Sequence, residues 1–493
     1  MKRLLSFLLV ITLILTTSVT TLATTINREA EEHIFNQLSR ANIPNAAIAV
    51  IQGGETSYIF KDSEYNTLFQ IGSVAKSFTG FGVLLLEDMG LLSVTDPVNQ
   101  HLPWFDVRYN GVLVPHEDIT IYNLLHHTSG LTSDERYFPA ILGGALTKDE
   151  VIAELIGIEL SFYPSTLYGY GNINYVILGF IIEAVSGQSY DEFMTEYVLH
   201  PLSLYNTFTD MQRAHESGRV IGGNRLGFFQ VRPWNPPVSP VAVPAMFIYS
   251  GITDMARWAG IHLGTVEISE QFARVVQRSH EHNYASNAPF ADMDYFYGAG
   301  WQVDSAASTV VHAGDTMGYS AIISMCHYSD TAVAIVVNLN YMSMRALSNI
   351  ILDAMQNGVY NSVRMDLRVI FDTVFTILTT LGAVYIGLFM RLIIKSAKRL
   401  RNGEVIKVNF TSKNIKGLVD PIIMLAVAVG FYVVPSMLTG NTHTVTVLFS
   451  PASITLAEIA IWVMVAYSWC SFFAIVFGIS PVKEKKPKNE PLG

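Results

Sequence analysis

Ser73 and Lys76 are the first candidates for catalysis, because a serine and a lysine three residues apart share one face of a helix. A buried lysine with a lowered pKa can accept the proton of a serine hydroxyl, which makes the serine a nucleophile. The apolar pattern predicts a helix over Ser77–Met89, so backbone N–H groups at its start lie near the serine oxygen. Ser480 and Lys483 repeat the spacing near the C-terminus, so the motif alone is weak.

Tyr170 and Asn172 form a second polar pair, immediately before a helix predicted over Ile173–Val185. A phenol near a reactive serine can shuttle protons, and an amide can hold both a substrate carbonyl and a lysine amine. The alternative interpretation is an ordinary polar turn that precedes the helix.

His312, Ala313 and Gly314 end a strand predicted to begin at Thr309. The edge of such a strand can pair with an extended peptide, and its N–H groups can bind an oxyanion. A histidine with a pKa of about 6.5 is mostly neutral near pH 7.5, and we expect His312 to gain charge towards pH 6. A histidine satisfied inside the core is the alternative.

Short apolar strands at both ends of the first 357 residues predict the scaffold of these motifs. Ala46–Ile51 and Ser57–Phe60 form one hairpin, and Ala321–Cys326 and Ala332–Val337 form another. We therefore expect an antiparallel sheet built from both ends of the domain and backed by its terminal helices. Further helices are predicted between the hairpins, at Lys148–Gly157 and Asp254–His262.

The motifs in this order resemble the serine β-lactamase and penicillin-binding protein family, in its class C and D-alanyl-D-alanine carboxypeptidase branch. Four segments carry the resemblance: Phe69–Thr79, Leu124–Leu131, Tyr170–Tyr175 and His312–Ser320. The resemblance covers about residues 30–355. It implies an α/β fold in which an antiparallel sheet is flanked by helices and joined to a helical subdomain, with the site between the two parts.

The resemblance also implies roles for individual residues. Ser73 would be the acylated nucleophile, and Lys76 and Tyr170 would share the proton transfers. The backbone amides of Ser73 and Asp315 would form the oxyanion hole. The residues that would bind substrate are Asn172, His312, Gly314 and Asp315.

The third motif departs from the pattern of penicillin-degrading members, which usually carry Lys-Thr-Gly or Lys-Ser-Gly. His-x-Gly, as in His312-Ala313-Gly314, is found in carboxypeptidase, aminopeptidase and esterase relatives. The departure favours an amide or ester substrate over efficient β-lactam hydrolysis, although β-lactams remain possible ligands. No cofactor and no metal are predicted, since His280-Glu281-His282 lacks the companion ligands of a zinc motif.

The composition argues against a wholly soluble or disordered protein, because 50% of the 493 residues are hydrophobic and only 15% are charged. Residues 1–23 resemble a signal peptide, with Lys2 and Arg3 before an apolar run. Three apolar segments follow the domain predicted over residues 27–357 and are long enough to cross a bilayer. These segments are 369–390, 422–438 and 453–479.

The distribution of charge predicts the orientation of these spans. The loop 391–417 carries eight Lys/Arg and one acid, and the tail 480–493 is also basic. The positive-inside rule puts both in the cytoplasm and the domain 27–357 outside. Residues 1–390 are acidic overall, with 19 Lys/Arg against 36 Asp/Glu, so nucleic acid is not an expected partner.

The sequence therefore predicts a multi-pass protein of the cell membrane with an extracytoplasmic serine hydrolase domain. Its expected substrates are D-amino-acid-containing peptides or esters of the cell envelope. One alternative is a prodrug-activating D-asparagine peptidase of a non-ribosomal peptide pathway. Another is a catalytically silent penicillin-binding sensor.

Overall fold

The computed structural model describes most of the chain between residues 28 and 480. The described ranges are 28–132, 147–282, 288–290, 293–304, 306, 308–341, 343–362, 367–406, 418–439, 447, 450–476 and 479–480. The predicted signal peptide 1–23 lies outside them, as do most of the tail 480–493 and part of the loop 391–417.

The strands are numbered along the chain. They are β1 Ala46–Gln52, β2 Glu55–Lys61, β3 Phe69–Gln70, β4 Val107–Tyr109, β5 Val112–Leu113, β6 Ile158–Glu159, β7 Thr207–Phe208, β8 Asn224–Gly227, β9 Gln230–Pro233, β10 Tyr249–Ser250, β11 Ala288–Phe290, β12 Met293–Tyr297, β13 Gln302–Asp304, β14 Thr309–Asp315, β15 Ser320–Cys326, β16 Thr331–Val337, β17 Val405–Ile406 and β18 Ile479–Ser480.

The α-helices are numbered in the same way. They are α1 Arg28–Arg40, α2 Ala75–Asp88, α3 Val98–His101, α4 Ile121–Leu125, α5 Lys148–Leu155, α6 Asn172–Ser186, α7 Tyr190–Phe193, α8 Met211–Glu216, α9 Ile252–Leu263, α10 Glu270–Ser279, α11 Met344–Asn357, α12 Leu367–Arg401, α13 Val419–Thr439 and α14 Ser453–Val476.

The main sheet has eight strands in the order β11-β12-β13-β14-β15-β16-β1-β2. Its neighbouring strands are all antiparallel. The first strand of the domain, β1, pairs with the last, β16, in the register Ala46↔Val337. This pairing confirms the predicted antiparallel sheet made from both ends of the domain, and the two predicted hairpins are β1–β2 and β15–β16.

Both faces of the sheet are covered, so its central strands are apolar at nearly every position. Ile48 and Val50 of β1 point to the face covered by the terminal helices α1 and α11, where they join one apolar cluster. Ala47 and Ala49 point to the other face and belong to a second cluster, which includes residues of α2, α6 and α9. The functional motifs lie on the side of the second cluster.

The predicted helices are present with small shifts at their ends. The helix predicted over Ser77–Met89 is α2, which begins at Ala75. The helix predicted over Ile173–Val185 is α6, and its C-terminal Gly187 has a φ of +72°, the left-handed conformation that ends many helices at glycine. Helices α2 and α6 contact each other and form the centre of the helical region.

Three helices, α12 to α14, follow the domain that contains the main sheet and lie at the positions of the predicted spans. Two described segments, Arg368–Arg401 and Ser453–Ala474, are long and apolar enough to cross a membrane. The apolar part of α13, Val419–Val433, is shorter. The structure therefore supplies two candidate membrane helices, and three spans stay a prediction.

Candidate active site

Ser73 lies in a single 3-10 turn, Gly72–Val74, directly before α2. The turn packs tightly against the end of β14. Gly72 has a φ of +53°, and a Cβ at this position would lie 2.4 Å from the backbone nitrogen of Asp315. A Cβ at Gly314 would lie 2.1 Å from the Ile71 carbonyl oxygen and 2.6 Å from the Ser73 nitrogen. Glycine at both positions therefore lets the backbone amides of Ser73 and Asp315 approach the same region.

Lys76 occupies the second position of α2, and its side chain is fully buried. Its Nζ lies 3.0 Å from Ser73 Oγ, 2.6 Å from Asn172 Oδ1 and 2.8 Å from the Ala245 carbonyl oxygen. The three contacts account for the full hydrogen-bonding capacity of the amine. The amine is therefore held in one position, beside the serine oxygen.

Burial lowers the pKa of Lys76 well below its ordinary value, because a charged amine loses its hydration inside the protein. A neutral amine donates two hydrogen bonds and accepts one. The oxygens of Asn172 and Ala245 can only accept, so the lone pair of neutral Lys76 would face the hydroxyl of Ser73. In this state the amine can take the hydroxyl proton.

The ring of Tyr170 also lies beside the amine, with its centroid 4.9 Å from Lys76 Nζ. Burial raises the pKa of Tyr170 above its ordinary value, and a hydrogen bond with Ser73 acts in the opposite direction. The Tyr170 hydroxyl therefore keeps its proton at neutral pH while it contacts Ser73. It can pass a proton to or from a group bound at the serine.

Asn172 is the first residue of α6, and its preceding residue is a glycine with extended backbone. A Cβ at Gly171 would lie 2.4 Å from the Leu131 carbonyl oxygen, so the approach of the chain to α6 requires glycine here. The close approach brings Tyr170 and Asn172 into contact with the residues of α2. The predicted pair therefore lies next to Ser73 and Lys76.

His312 lies on β14 and is 2% exposed. Its Nδ1 donates to the carbonyl oxygen of Ala313 at 2.7 Å, and in the neutral ring its Nε2 accepts from the hydroxyl of Tyr297 at 2.9 Å. Burial lowers the pKa of His312 to about 3. The expected gain of charge towards pH 6 is therefore wrong, because the ring stays neutral over that range.

The environment of Tyr170 includes residues that the sequence motifs did not indicate. The rings of His127 and Tyr170 are 4.4 Å apart, and those of His127 and Tyr297 are 4.5 Å apart. His127 Nδ1 accepts from the Gly171 amide at 3.3 Å. His127 lies in Leu124–Leu131, one of the four segments that carry the family resemblance, and this resemblance could have indicated it. No pattern in the sequence pointed to Tyr297 or to the Ala245 carbonyl.

A cavity of about 530 Å³ lies beside the end of β14, next to Asp315 in the chain but not lined by Ser73. Met317, Gly318 and Tyr319 form one wall, and Trp234 and Asn235 belong to another. Among the described residues that line the cavity, the titratable side chains are His215, Tyr249 and Tyr319. Over the described ranges, no group of three or more His, Cys, Asp or Glu could hold a metal ion.

The sequence of this chain is similar to those of known proteins. The family profile described as Beta-lactamase matches residues 30–356. Protein flp of Staphylococcus aureus strain MW2 is 26% identical over 438 residues, which cover 86% of each chain. Penicillin-binding protein 4* of Bacillus subtilis strain 168 is 29% identical over 194 residues, which cover 36% of this chain and 41% of that protein.

Solved structures share the fold. The octameric penicillin-binding protein homologue from Pyrococcus abyssi superposes with a TM-score of 0.58 and 22% identity, over 66% of this chain and 76% of that chain. A class C β-lactamase superposes with a TM-score of 0.57 and 17% identity, over 68% of this chain and 99% of that chain. At these identities the likeness establishes the β-lactamase-like fold, with its antiparallel sheet and flanking helices.

Proposed function

The chain belongs to the β-lactamase family, and on that basis we propose that it is a membrane-anchored serine hydrolase that forms an acyl-enzyme on Ser73. The observation that carries the proposal is the position of a fully buried Lys76 amine 3.0 Å from Ser73 Oγ. A lysine that burial keeps neutral is a general base of suitable strength near neutral pH.

Acylation begins when Ser73 Oγ attacks the substrate carbonyl and its proton moves to Lys76 Nζ. The carbonyl oxygen becomes an oxyanion, which the amides of Ser73 and Asp315 stabilise. The bond to the leaving group then breaks as the Tyr170 hydroxyl donates a proton to it, and Lys76 returns a proton to Tyr170. In deacylation, a water molecule attacks the carbonyl of the acyl-enzyme, and the same groups move a proton from the water to Ser73 Oγ. The bond to Ser73 then breaks and the acid is released.

Asn172 has two roles in this mechanism. Its Oδ1 accepts a hydrogen bond from Lys76 at 2.6 Å, which keeps the amine directed at the serine. Its amide nitrogen is a donor for the carbonyl group of a bound substrate. The backbone of β14 at Gly314 offers an edge on which an extended substrate can pair.

The substrate we propose is a peptide or ester of a D-amino acid from the cell envelope. The neutral ring of His312, with a pKa of about 3, offers no positive charge for a free carboxylate. An ester or amide with an uncharged leaving group fits this environment better than a penicillin, whose carboxylate would lack a cation at this position. Acylation by β-lactams is therefore expected to be slow.

Anchoring to a membrane is part of the proposal. Apolar side chains of α12 are exposed, among them Ile377, Leu381 and Val384, as in a helix that faces lipid. The similarity to protein flp extends over 438 residues, which is longer than the matched family domain. The eight Lys/Arg of residues 391–417 favour a cytoplasmic position for that loop.

Release of a D-amino acid from its methyl ester and from the corresponding amide tests the proposal on the full chain. Ser73→Ala should abolish both activities. Ser480→Ala is the matched control, since Ser480 and Lys483 repeat the motif outside the domain, and it should leave them unchanged. Equal turnover by the wild type and Ser73→Ala would refute the assignment.

A further inference from the structure

The β8–β9 hairpin connects the cavity beside the candidate active site with the first membrane helix. Its turn, Phe228 and Phe229, contacts α12, and its open end contacts the segment that follows β14. Strands of four residues at about 3.3 Å per residue put about 13 Å between these two ends. The hairpin is therefore a direct connection between the two parts of the molecule.

The turn of the hairpin has a conformation that its residues disfavour. Phe228 and Phe229 both have positive φ angles, of 52° and 60°. Two-residue turns of this kind usually contain asparagine, aspartate or glycine, because larger side chains clash with the backbone in the left-handed region. An interaction outside the hairpin must therefore help to hold the turn.

Asp372 of α12 supplies that interaction. Its Oδ1 accepts from the Phe228 amide at 2.9 Å, and its Oδ2 accepts from the Phe229 amide at 2.7 Å. The hydroxyl of Ser453, at the start of α14, donates to the same carboxylate, which is fully buried. One carboxylate thus binds both amides of the strained turn and joins it to two membrane helices.

Arg225 provides a second connection between the hairpin and this region. Its guanidinium donates to the carbonyl oxygen of Ser450 at 2.7 Å and to that of Val447 at 2.6 Å. The amide of Ala452 donates to the carbonyl oxygen of Leu226 at 2.8 Å. The hairpin is therefore held at several points along β8, with Asp372 at its end.

The other end of the hairpin forms a wall of the 530 Å³ cavity. The amide of Asn224 donates to the carbonyl oxygen of Gly318 at 3.1 Å, and Trp234 lines the cavity directly after β9. The hydroxyl of Tyr319 donates to the carbonyl oxygen of Ile221 at 2.6 Å. A movement of the hairpin would therefore move the wall that faces Met317, Gly318 and Tyr319.

We infer that Asp372 is a positioning residue that determines substrate specificity, because it holds the β8–β9 hairpin, which forms one wall of the cavity beside Asp315. The inference rests on the proposed hydrolase function, which it deepens: the first membrane helix helps to set which groups fit next to the acylated serine. Loss of the carboxylate releases the strained turn, and the cavity wall loses its fixed position.

Two fluorophosphonates of different size test this inference on the full chain in detergent. A methyl fluorophosphonate needs only Ser73 and its amides, whereas one with a bulky aryl group also needs the cavity wall. Asp372→Asn should slow reaction with the bulky probe by about 10-fold or more, and reaction with the small probe by less than about 2-fold. Asp420→Asn, which changes an exposed carboxylate at the start of α13, should affect neither rate.

Hydrogen exchange distinguishes this positioning role from a purely local role of Asp372. Asp372→Asn should speed exchange across residues 224–233 and also at 316–320, and Asp420→Asn should not. An unchanged ratio of the two probe rates, or faster exchange confined to 228–229, would overturn the inference. If Asp372→Asn does not accumulate, Arg225→Gln should give the same pattern from the hairpin side.

The outcomes separate this inference from the proposed function. If neither probe labels the wild-type chain at Ser73, the hydrolase proposal fails. The exchange measurement then still decides whether Asp372 positions the residues 316–320. If the wild type is labelled and Asp372→Asn keeps the wild-type ratio of rates, the hydrolase proposal stands and the positioning role fails.

Discussion

The Nε2 of His312 lies 2.9 Å from the hydroxyl of Tyr297, and both groups are buried beside the candidate active site. Nδ1 donates to the carbonyl oxygen of Ala313, and burial lowers the pKa of the ring to about 3, so near neutral pH the unprotonated Nε2 accepts from the hydroxyl of Tyr297. Because its ring is buried and neutral, His312 brings no charge into the candidate site.

The dependence of acylation on pH should therefore come from Lys76 and not from His312. Acylation needs the neutral amine, so its rate should rise with pH until it passes the lowered pKa of Lys76 and then level off. His312→Asn should keep the shape of this profile between about pH 5.5 and 8.5, whatever its effect on the absolute rate. A step in the wild-type profile near pH 6 that the variant lacks would contradict this prediction.

Lys76→Met removes the proposed base and keeps an unbranched side chain in the buried site. We expect acylation to fall by about 10²- to 10⁴-fold, the range for loss of a general base. Lys148→Met, at an exposed lysine on α5, should react at the wild-type rate. Labelling rates with a fluorophosphonate measure both, and a wild-type rate for Lys76→Met would exclude the base role.

The same variant tests the lowered pKa through stability. Between the folded pKa of Lys76 and its unfolded value of about 10.4, the unfolded chain binds the extra proton, so the free energy of unfolding rises with pH. Lys76→Met should have a smaller slope than the wild type between about pH 7.5 and 9.5 in denaturant titrations. Parallel slopes would indicate that the buried amine keeps its ordinary pKa.

Tyr170→Phe keeps the ring beside Lys76 but removes the hydroxyl that contacts Ser73. Acylation and deacylation should both slow by about 10²-fold or more, because both steps move a proton through this group. Tyr328→Phe, at a tyrosine that is 91% exposed, is the control. Stopped reactions followed by mass spectrometry give the two rates separately, and normal rates in Tyr170→Phe would assign the proton transfer elsewhere.

Gly314→Ala should separate β14 from the Ser73 turn. The added Cβ would lie 2.1 Å from the Ile71 carbonyl oxygen, a distance that real contacts do not allow, so the two backbones must shift apart. We expect loss of acylation together with a lower midpoint of thermal unfolding. Gly387→Ala, where nothing lies within 4 Å of the added Cβ, should change neither, and full activity in Gly314→Ala would disprove the close approach.

Several features of the fold could be predicted because they depend on local patterns. Apolar runs and turns indicated the β1–β2 and β15–β16 hairpins, and the spacing of Ser73 and Lys76 indicated their contact. The order of the motifs indicated that Tyr170 would join them. These predictions needed only the periodicity of a helix or strand and a family resemblance.

The remaining features depend on contacts between distant parts of the chain. The Ala245 carbonyl that binds Lys76 lies in an apolar segment that carries no polar signal. Burial lowers the pKa of His312, and the sequence alone gives no measure of that burial. The contact of Asp372 with the Phe228–Phe229 turn joins the candidate membrane helix α12 to a hairpin, which no local pattern predicts.

Peptide mapping after reaction with a fluorophosphonate tests the central claim most directly. The full chain should gain the mass of one phosphonyl group, and the modified peptide should contain Ser73 and no other modified residue. Ser73→Ala should gain no mass while it unfolds at the same temperature as the wild type. An adduct on another residue, or one that persists in folded Ser73→Ala, would contradict the proposed acyl-enzyme on Ser73.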